Sequence, residues 1–241
     1  MKRRDFLQST AALSAVTIVS PATAFGSQAN SAVRMGIIGC GGRGTAVIRS
    51  MSEHTSINII AMADLFRDKL DACKKILDQQ NIKKGFAAIP NTSTYTGSKA
   101  YQQLLANKDV DAILISSPAY THADYFEAAA HAGKHIYCEK PAAPDVAGCR
   151  KVEHVGNLYN GKLSMVIGFQ IRHATPYVQM VEGIQRGDIG EVLNVHLSYL
   201  ATRLDPKDTT GMSWDEIRIR NQYHFHSLSG GTMLDQAIHM I

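Results

Sequence analysis

Several features that mark other classes of protein are missing from this sequence of 241 residues. No apolar run reaches the roughly 20 residues that a helix needs to cross a bilayer. Beyond the first few residues there is no Lys/Arg-rich run and no interleaving of basic and aromatic residues, so no nucleic-acid partner is predicted. Internal repeats and low-complexity tracts are also absent, which argues against a solenoid or a biased, unstructured chain.

Cysteine is scarce, and its spacing is uninformative for metal or redox chemistry. The four cysteines are Cys40, Cys73, Cys138 and Cys149, and none belongs to a CxxC pair. All four lie in segments predicted to be core or helix. We therefore expect free, buried thiols and no disulfide framework.

The composition is that of an ordinary globular protein, with 45% hydrophobic and 19% charged residues. This length accommodates one large domain or two modest ones. The formal net charge is +4. Half of that excess comes from Lys2, Arg3 and Arg4 set against Asp5, so the remainder of the chain is close to neutral.

The N-terminal 30 residues have the layout of an export signal. The adjacent Arg3 and Arg4 precede an apolar, small-residue stretch over 11–20, and Ala22 and Ala24 form an Ala-x-Ala site after a proline. The arginine pair suggests the twin-arginine route, which carries folded proteins, often with cofactors loaded, and predicts a periplasmic protein. An uncleaved membrane anchor is the alternative, although the apolar stretch is short for it.

Apolar runs alternate with helical patterns along the next hundred residues. Runs at 33–39, 57–64, 110–118 and 135–141 read as strands, and the segments 45–51, 67–80 and 122–134 read as helices, the last with Gly133 as its stop. Strands that are apolar throughout belong to parallel sheets covered on both faces. Right-handed crossovers then predict an α/β fold with a doubly wound sheet.

The pattern changes in the last hundred residues. We expect a helix to about residue 159, a strand at 163–169, a helix at 176–187 and an alternating strand at 191–200. Alternation indicates one packed face and one open face, so a different, open-faced sheet is expected to start here. The chain stops within an apolar helical pattern that has no C-cap residue, so we expect a fragment of a longer protein.

A glycine-rich loop follows the first strand and opens the first helix. Gly39, Gly41 and Gly44 form G-x-G-x-x-G, with Gly42 and Arg43 between them. Such glycines allow a tight turn, close approach of the backbone to a pyrophosphate, and close helix–strand packing, while the helix N-terminus provides amide donors. A turn that serves packing only is the alternative. The context favours a Rossmann dinucleotide-binding domain.

Asp64 ends the second strand about twenty residues after the loop, where an acid can bind the adenosine ribose diol. An acid there also repels a 2′-phosphate, which favours NAD over NADP. Arg43 and Arg67 lie near enough in sequence to keep NADP open as the alternative.

Four segments resemble the glucose–fructose oxidoreductase, inositol dehydrogenase and rhizopine-catabolism (Gfo/Idh/MocA) family. They read VRMGIIGCGGRG, ISSPAYTHADYFEAAAHAGKHIYCEKPAA, GDIGEV and GGTMLDQAIH, and the resemblance extends from residue 33 to the end. It implies a Rossmann domain over 31–145 and an incomplete substrate domain over 146–241, the start of an α+β open-faced sheet. It also implies a bound nicotinamide cofactor and a sugar or polyol substrate, and a homo-oligomer is possible.

The resemblance also implies roles for the residues at two strand ends. Pro118, after Ser117, lies against the nicotinamide in this family. Lys140 of the EKP motif binds the reacting hydroxyl, and Glu139 helps to place the lysine. Ligands of open α/β sheets bind at the carboxyl ends of strands, which is where these residues are expected. A solvated surface turn is the alternative for Lys140.

Asp235 and His239 are spaced i, i+4 in a helical pattern, so both should point the same way. Oxidation of an alcohol needs a base for the hydroxyl proton, and a histidine supported by an acid one turn away suits that task. Alone, His239 reads as a core residue, and only the family resemblance makes it catalytic.

Other candidates carry less specific signals. Arg172 could reach the cofactor or form a surface salt bridge, while Tyr120 and His122 could line the nicotinamide pocket, His122 equally capping its helix. His224 and His226 would share a face if that segment is extended, but no third ligand is evident, so no metal site is predicted.

Three functions remain open. The first is an NAD(P)-dependent sugar or polyol oxidoreductase. The second is a redox-neutral glycosidase of the same superfamily, which oxidises, eliminates, adds water and reduces on one bound nucleotide; a tyrosine or histidine of NQYHFH could remove its acidified C–H proton. The third is a non-catalytic module that binds a sugar or nucleotide.

Overall fold

The computed structural model describes residues 32–240. The expected signal peptide over 1–30 and the final residue lie outside the described residues. In the part of the chain that is described, no helix is both long and apolar enough to cross a membrane.

A six-stranded, fully parallel sheet is the centre of the fold, with the strand order β3-β2-β1-β4-β5-β6. The strands are β1 (Val33–Ile38), β2 (Ile57–Asp64), β3 (Thr94–Thr96), β4 (Ala112–Ile115), β5 (His135–Glu139) and β6 (Met165–Gly168). This order is that of the doubly wound dinucleotide-binding fold, and it confirms the predicted α/β class.

The α-helices are α1 (Gly42–His54), α2 (Arg67–Lys83), α3 (Ala100–Leu105), α4 (His122–His131), α5 (Val146–Leu158), α6 (Thr175–Gln185), α7 (Trp214–Arg220), α8 (His226–Ser229) and α9 (Gly231–Asp235). Two separate apolar clusters pack on the sheet. One contains buried side chains of α1 and α2, and the other those of α3, α4 and α5. Helices therefore cover the sheet from both sides, as strands that are apolar throughout require.

Local signals predicted several boundaries well. β2 has the expected bounds, α4 ends just before Gly133, whose φ is +71°, and α6 lies within two residues of its prediction. The short strand β3 was missed because it has only three residues. Beyond residue 145, the expected domain boundary, β6 adds a strand to the same sheet and α5 packs in its core.

The expected strand at 191–200 was wrong: residues 190–209 have no regular secondary structure. Its apolar residues, including Leu193 and Leu200, are exposed. A strand with one apolar face needs hydrogen-bonded neighbours and a surface to pack on. No strand of residues 32–240 pairs with this segment, so the alternating pattern is not sufficient by itself.

One condition raised by the sequence is not met, and one smaller expectation was wrong. The segment around His224 and His226 is not extended but forms a 3-10 turn at Gln222–His224 followed by α8. Cys40, Cys73 and Cys138 are buried free thiols as expected, whereas Cys149 is exposed on α5. Helical periodicity does not reveal which face of α5 packs until its neighbours are known.

Candidate functional site

A cavity of about 780 Å³ opens at the carboxyl ends of the sheet strands. The glycine loop after β1 and the Ser116–Pro118 segment after β4 both line it. Strand order reverses between β1 and β4, since one leads to β2 and the other to β5. The cavity thus lies at the topological switch point, where open α/β sheets bind ligands.

The glycine loop divides into residues required for packing and residues that leave room. Gly39 has φ +97°, and a Cβ there would come within 2.4 Å of Ser116 and Ser117 backbone atoms. A Cβ on Gly44 would lie 2.1 Å from the carbonyl oxygen of Gly39. A Cβ on Gly41 or Gly42 would have no neighbouring heavy atom within 4 Å. The loop therefore leaves bare backbone at the start of α1, as a pyrophosphate requires.

Asp64 lines the cavity next to this loop. Its Oδ2 accepts a hydrogen bond from the Cys40 N–H at 2.6 Å, and its Oδ1 accepts one from the Phe66 N–H at 2.8 Å. Burial raises the pKa of this carboxyl group, and the two N–H donors oppose that rise. The side chain thus ties the end of β2 to the glycine loop, and the remaining lone pairs of its oxygens can accept hydroxyl groups.

Arg43 and Glu139 form an ion pair across the cavity floor, with Nε–Oε2 3.0 Å and Nη2–Oε1 3.2 Å. The Glu139 side chain is 5% exposed. The Glu139 carboxylate thus contacts the arginine of the glycine loop, and its expected part in placing Lys140 stays a prediction.

Neither arginine that kept NADP open is a ready partner for a 2′-phosphate. Arg43 is paired with Glu139, and Arg67 is paired with Asp71 on the exposed side of α2 at 3.0 Å. Lys69 and Lys207 also line the cavity, and burial lowers the pKa of Lys207.

Lys140 is held by the distant Asp235. Its Nζ lies 3.0 Å from Asp235 Oδ1 and also donates to the Asp235 carbonyl oxygen. The side chains of the two residues are 15% and 13% exposed. Asp235 Oδ2 accepts a further bond from Gln236 Nε2 at 2.9 Å. Lys140 is thus no surface lysine, but an ammonium group held within the cavity by a buried acid.

Asp235 and His239 do not share one continuous α-helix. α9 ends at Asp235, and Ala237–His239 is a separate 3-10 turn. Both side chains still line the cavity, but Asp235 pairs with Lys140 and not with the histidine. The expectation of an acid that orients His239 was therefore wrong, because the helix breaks between the two residues.

His239 stacks on Tyr199, with ring centroids 5.1 Å apart. Its Nδ1 is buried and has no protein partner. Burial lowers the pKa of this imidazole; the charges of Lys140 and Arg43 lower it further, and only Asp235 opposes them. The ring is therefore kept neutral near pH 7, with a lone pair available to accept a proton.

Tyr223 and Tyr120 are among the other tyrosines that line the cavity. Burial raises the pKa of Tyr223, and the Asp235 carboxylate adds to the rise. Burial also raises the pKa of Tyr120. Tyr223 belongs to the NQYHFH segment that was considered as a source of a second base, whereas Tyr199 was missed because its segment was read as a strand.

Arg220 closes the end of the cavity next to Asp64 and was missed by sequence reasoning. Its two Nη atoms bind both Asp68 oxygens at 2.9 and 2.8 Å, and its Nε binds Glu216 at 2.8 Å. The guanidinium carbon lies 3.9 Å from the centroid of the Phe66 ring. The ion pair between Arg220 and Asp68 joins α7 to the start of α2 across 152 residues, and no local sequence pattern predicts it.

The remaining candidates are divided between the cavity and its surroundings. Ser117 and Pro118 line it, and Ser117 Oγ lies 2.6 Å from Thr121 Oγ1. His122 also lines the cavity and is buried, with both ring nitrogens on backbone carbonyls; α4 has no side-chain cap, so the capping alternative was wrong. Arg172 is not among the lining residues and lies over the Phe169 ring.

Among residues 32–240, no group of three or more His, Cys, Asp or Glu side chains could hold a metal ion.

Comparison with known proteins gives concordant results. The Gfo/Idh/MocA sequence model, described as an oxidoreductase family with an NAD-binding Rossmann fold, matches residues 33–164. An inositol 2-dehydrogenase from Salmonella paratyphi B is 32% identical over 165 residues, 68% of this chain and 45% of that protein. A glycosyl hydrolase family 109 protein from Solibacter usitatus is 34% identical over 120 residues, 50% of this chain and 26% of that protein.

A solved structure shows the same fold. The scyllo-inositol dehydrogenase of Lactobacillus casei, crystallised with bound cofactor NAD(H) and scyllo-inositol, matches with a TM-score of 0.55 at 24% identity. The match covers 66% of this chain and 43% of that one. The chain thus spans about half the length, or less, of the relatives that it matches.

Proposed function

The chain belongs to the Gfo/Idh/MocA oxidoreductase family, and from this premise we propose that it transfers a hydride between a tightly bound nicotinamide cofactor and a sugar or polyol. One observation carries the proposal: the glycine loop and the proton-handling side chains Lys140 and His239 line the same cavity. The inositol dehydrogenases among its relatives support a polyhydroxylated substrate.

The residues present fit a dinucleotide. The bare backbone at Gly41 and Gly42, at the N-terminus of α1, suits a pyrophosphate, and the Asp64 carboxylate suits a ribose diol. The engagement of Arg43 and Arg67 in ion pairs supports NAD over NADP. Ser117 and Pro118 are the proposed neighbours of the nicotinamide, which when bound accepts a hydride from an alcohol carbon or donates one to a carbonyl.

The chain's own residues would handle the proton and the developing charge. Neutral His239 accepts the proton of the substrate hydroxyl, and its lowered pKa keeps it in the accepting form. The Lys140 ammonium donates a hydrogen bond to the same oxygen and stabilises its alkoxide character. Asp235 keeps Lys140 in place and offsets its charge. In the reverse direction the same groups protonate the oxygen of a reduced carbonyl.

A glycosidase that uses the same bound nucleotide is the second candidate, supported by the similarity to a glycosyl hydrolase family 109 protein. That reaction needs a second base, for a C–H bond acidified by the adjacent carbonyl. Tyr223 lines the cavity and is the candidate for this base, but burial and the Asp235 carboxylate raise its pKa and keep the phenol protonated, which counts against the glycosidase.

We also propose that the protein is exported by the twin-arginine route. Free nucleotide is scarce outside the cytoplasm, so an exported enzyme has to retain its cofactor and regenerate it in place. Either a second sugar is reduced by the same nucleotide, or the cycle is redox-neutral. We further propose that the residues after β6 belong to a substrate domain and that the protein forms a homo-oligomer.

A direct test is to denature the purified protein and identify any released nucleotide by mass spectrometry. We expect close to one NAD(H) per chain, with NADP(H) below a tenth of that amount. Such retention supports a closed cofactor cycle. Protein that is empty and binds neither nucleotide on titration would contradict the oxidoreductase and the glycosidase alike and leave a non-catalytic module.

Substrate assays separate the two enzymatic candidates. An oxidoreductase converts inositols or sugars with a change in nicotinamide absorbance, or reduces one sugar while oxidising another. A glycosidase releases nitrophenol from nitrophenyl glycosides with no net NADH. Hydrolysis without any redox change would replace the first candidate with the second.

The pH dependence of turnover tests His239 as the base. Because burial and the neighbouring cations lower its pKa below the ordinary 6.5, alcohol oxidation should rise as pH passes through a value below 6.5 and then level off. We expect His239→Asn to lower kcat by about 100-fold and to abolish this acid limb. His154→Gln, an exposed change on α5, is the control. An unchanged acid limb in His239→Asn would assign the proton transfer to another group.

A further inference from the structure

His122 joins the two strand ends that carry the proposed reaction. It is the first residue of α4 and is 2% exposed. Its Nε2 lies 2.8 Å from the carbonyl oxygen of Ser117, just before Pro118. Its Nδ1 lies 2.6 Å from the carbonyl oxygen of Pro141, just after Lys140. One imidazole ring therefore bridges the ends of β4 and β5.

Both partners of the ring are acceptors. A backbone carbonyl oxygen can only accept a hydrogen bond, and a neutral imidazole has a single N–H to donate. A neutral ring would therefore leave a nitrogen lone pair facing a carbonyl lone pair at hydrogen-bond distance, which is a repulsive contact. A doubly protonated ring donates to both carbonyls, and such charge-assisted bonds are roughly twice as strong as neutral ones.

Several charges act on this ring. Burial lowers the pKa of His122, and the Lys140 ammonium adds to that effect. The two carbonyl acceptors and the nearly buried Glu139 carboxylate oppose it. Together these effects lower the pKa of His122, which favours a neutral ring, but a neutral ring cannot donate a hydrogen bond to both carbonyls. The geometry therefore decides in favour of two ring protons.

We propose that His122 carries a proton on both ring nitrogens in the folded protein at neutral pH, and that this imidazolium is a positioning residue for the reaction. It holds the carbonyl groups of Ser117 and Pro141 at a set separation. The spacing between Pro118, beside the proposed nicotinamide site, and Lys140, which meets the substrate oxygen, follows from that separation. For its effect on turnover, the proposal rests on the proposed oxidoreductase function.

The protonation state can be measured without any turnover. The full chain, labelled with nitrogen-15 and carbon-13, is examined by NMR at pH 7.5 with and without NAD. The ring is assigned through bonds from its own backbone, so no variant is needed. We expect two protonated nitrogens on His122, whereas histidines near the ordinary pKa of about 6.5 each show one bare nitrogen at this pH. A bare nitrogen on His122 overturns the proposal, whatever the activity proves to be.

The positioning role is tested with His122→Gln, whose single amide can donate to only one of the two carbonyls. We expect kcat to fall about 100-fold, the size of effect that a small misplacement of reacting groups produces, while NAD affinity changes less than about threefold. His131→Gln, an exposed histidine on the same helix, should leave both unchanged. Equal losses of kcat and NAD affinity, or no loss at all, would count against positioning. Absence of turnover in the parent protein with every substrate would refute the proposed function, and the NMR result would still decide the protonation state.

Discussion

Replacing Lys140 with alanine should lower turnover by about a thousandfold and leave NAD affinity within about threefold. A group that stabilises developing negative charge on oxygen typically contributes this much. Lys140 is the cavity lysine held by Asp235, at 3.0 Å, and its removal also leaves that buried carboxylate without a counter-charge. For the parent and the variant, kcat is measured by steady-state kinetics and NAD affinity by calorimetry.

Two further variants make the Lys140 result interpretable. Lys140→Met keeps most of the side-chain volume, so it separates the loss of the ammonium group from the loss of packing. Lys151→Ala breaks ion pairs with Asp124 and Glu127 on the exposed surface and should change neither quantity. Parallel losses of turnover and NAD affinity in both Lys140 variants would assign the lysine to cofactor binding and refute the catalytic role.

Two glycines of the loop should respond to alanine in opposite ways. Gly39→Ala should destabilise the fold by about 3 kcal/mol or more, because its positive φ costs a side chain about 1–2 kcal/mol and the contact at 2.4 Å adds overpacking. Gly41→Ala should cost less than about 1 kcal/mol, since φ is −71° and the space around it is open. Its NAD affinity should fall about tenfold or more, because the new methyl group occupies the approach to the pyrophosphate.

Urea unfolding and NAD titration of the two variants measure these effects. Gly156→Ala, in open space on α5, is the matched control and should be neutral or slightly stabilising because alanine favours helix. If Gly41→Ala bound NAD as tightly as the parent, the loop would serve packing only. Normal stability of Gly39→Ala would mean that the turn can be rebuilt without a left-handed residue.

Local sequence signals were sufficient where short-range chemistry decides the structure. Apolar runs of strand length predicted five of the six strands, and glycine spacing predicted the turn between β1 and α1. Gly133, with its positive φ, marked the end of α4. The prediction of a strand at 191–200 was wrong. Alternation of apolar and polar residues indicates only that a strand would have one apolar face, and no described strand pairs with this segment.

Pairing of charged side chains could not be predicted in the same way. Glu139 and Lys140 are adjacent in sequence, yet Glu139 binds Arg43, 96 residues away, and Lys140 binds Asp235, 95 residues away. Arg220, which closes the end of the cavity next to Asp64, depends on Asp68 in the same manner. Which partners pair depends on which strand ends and turns meet in space, and this cannot be predicted from residue spacing.

The sequence by itself determined the α/β class and the dinucleotide loop, which follow from periodicity and from the absence of a Cβ in glycine, both of them local. The candidate roles of Lys140 and His239 in proton transfer came from the family resemblance and not from local pattern. Only the tertiary structure decided the neutral state of His239, the acid that holds Lys140, and the bridge that His122 makes between two strands. Burial and long-range electrostatics set these properties, and both exist only once distant segments have packed together.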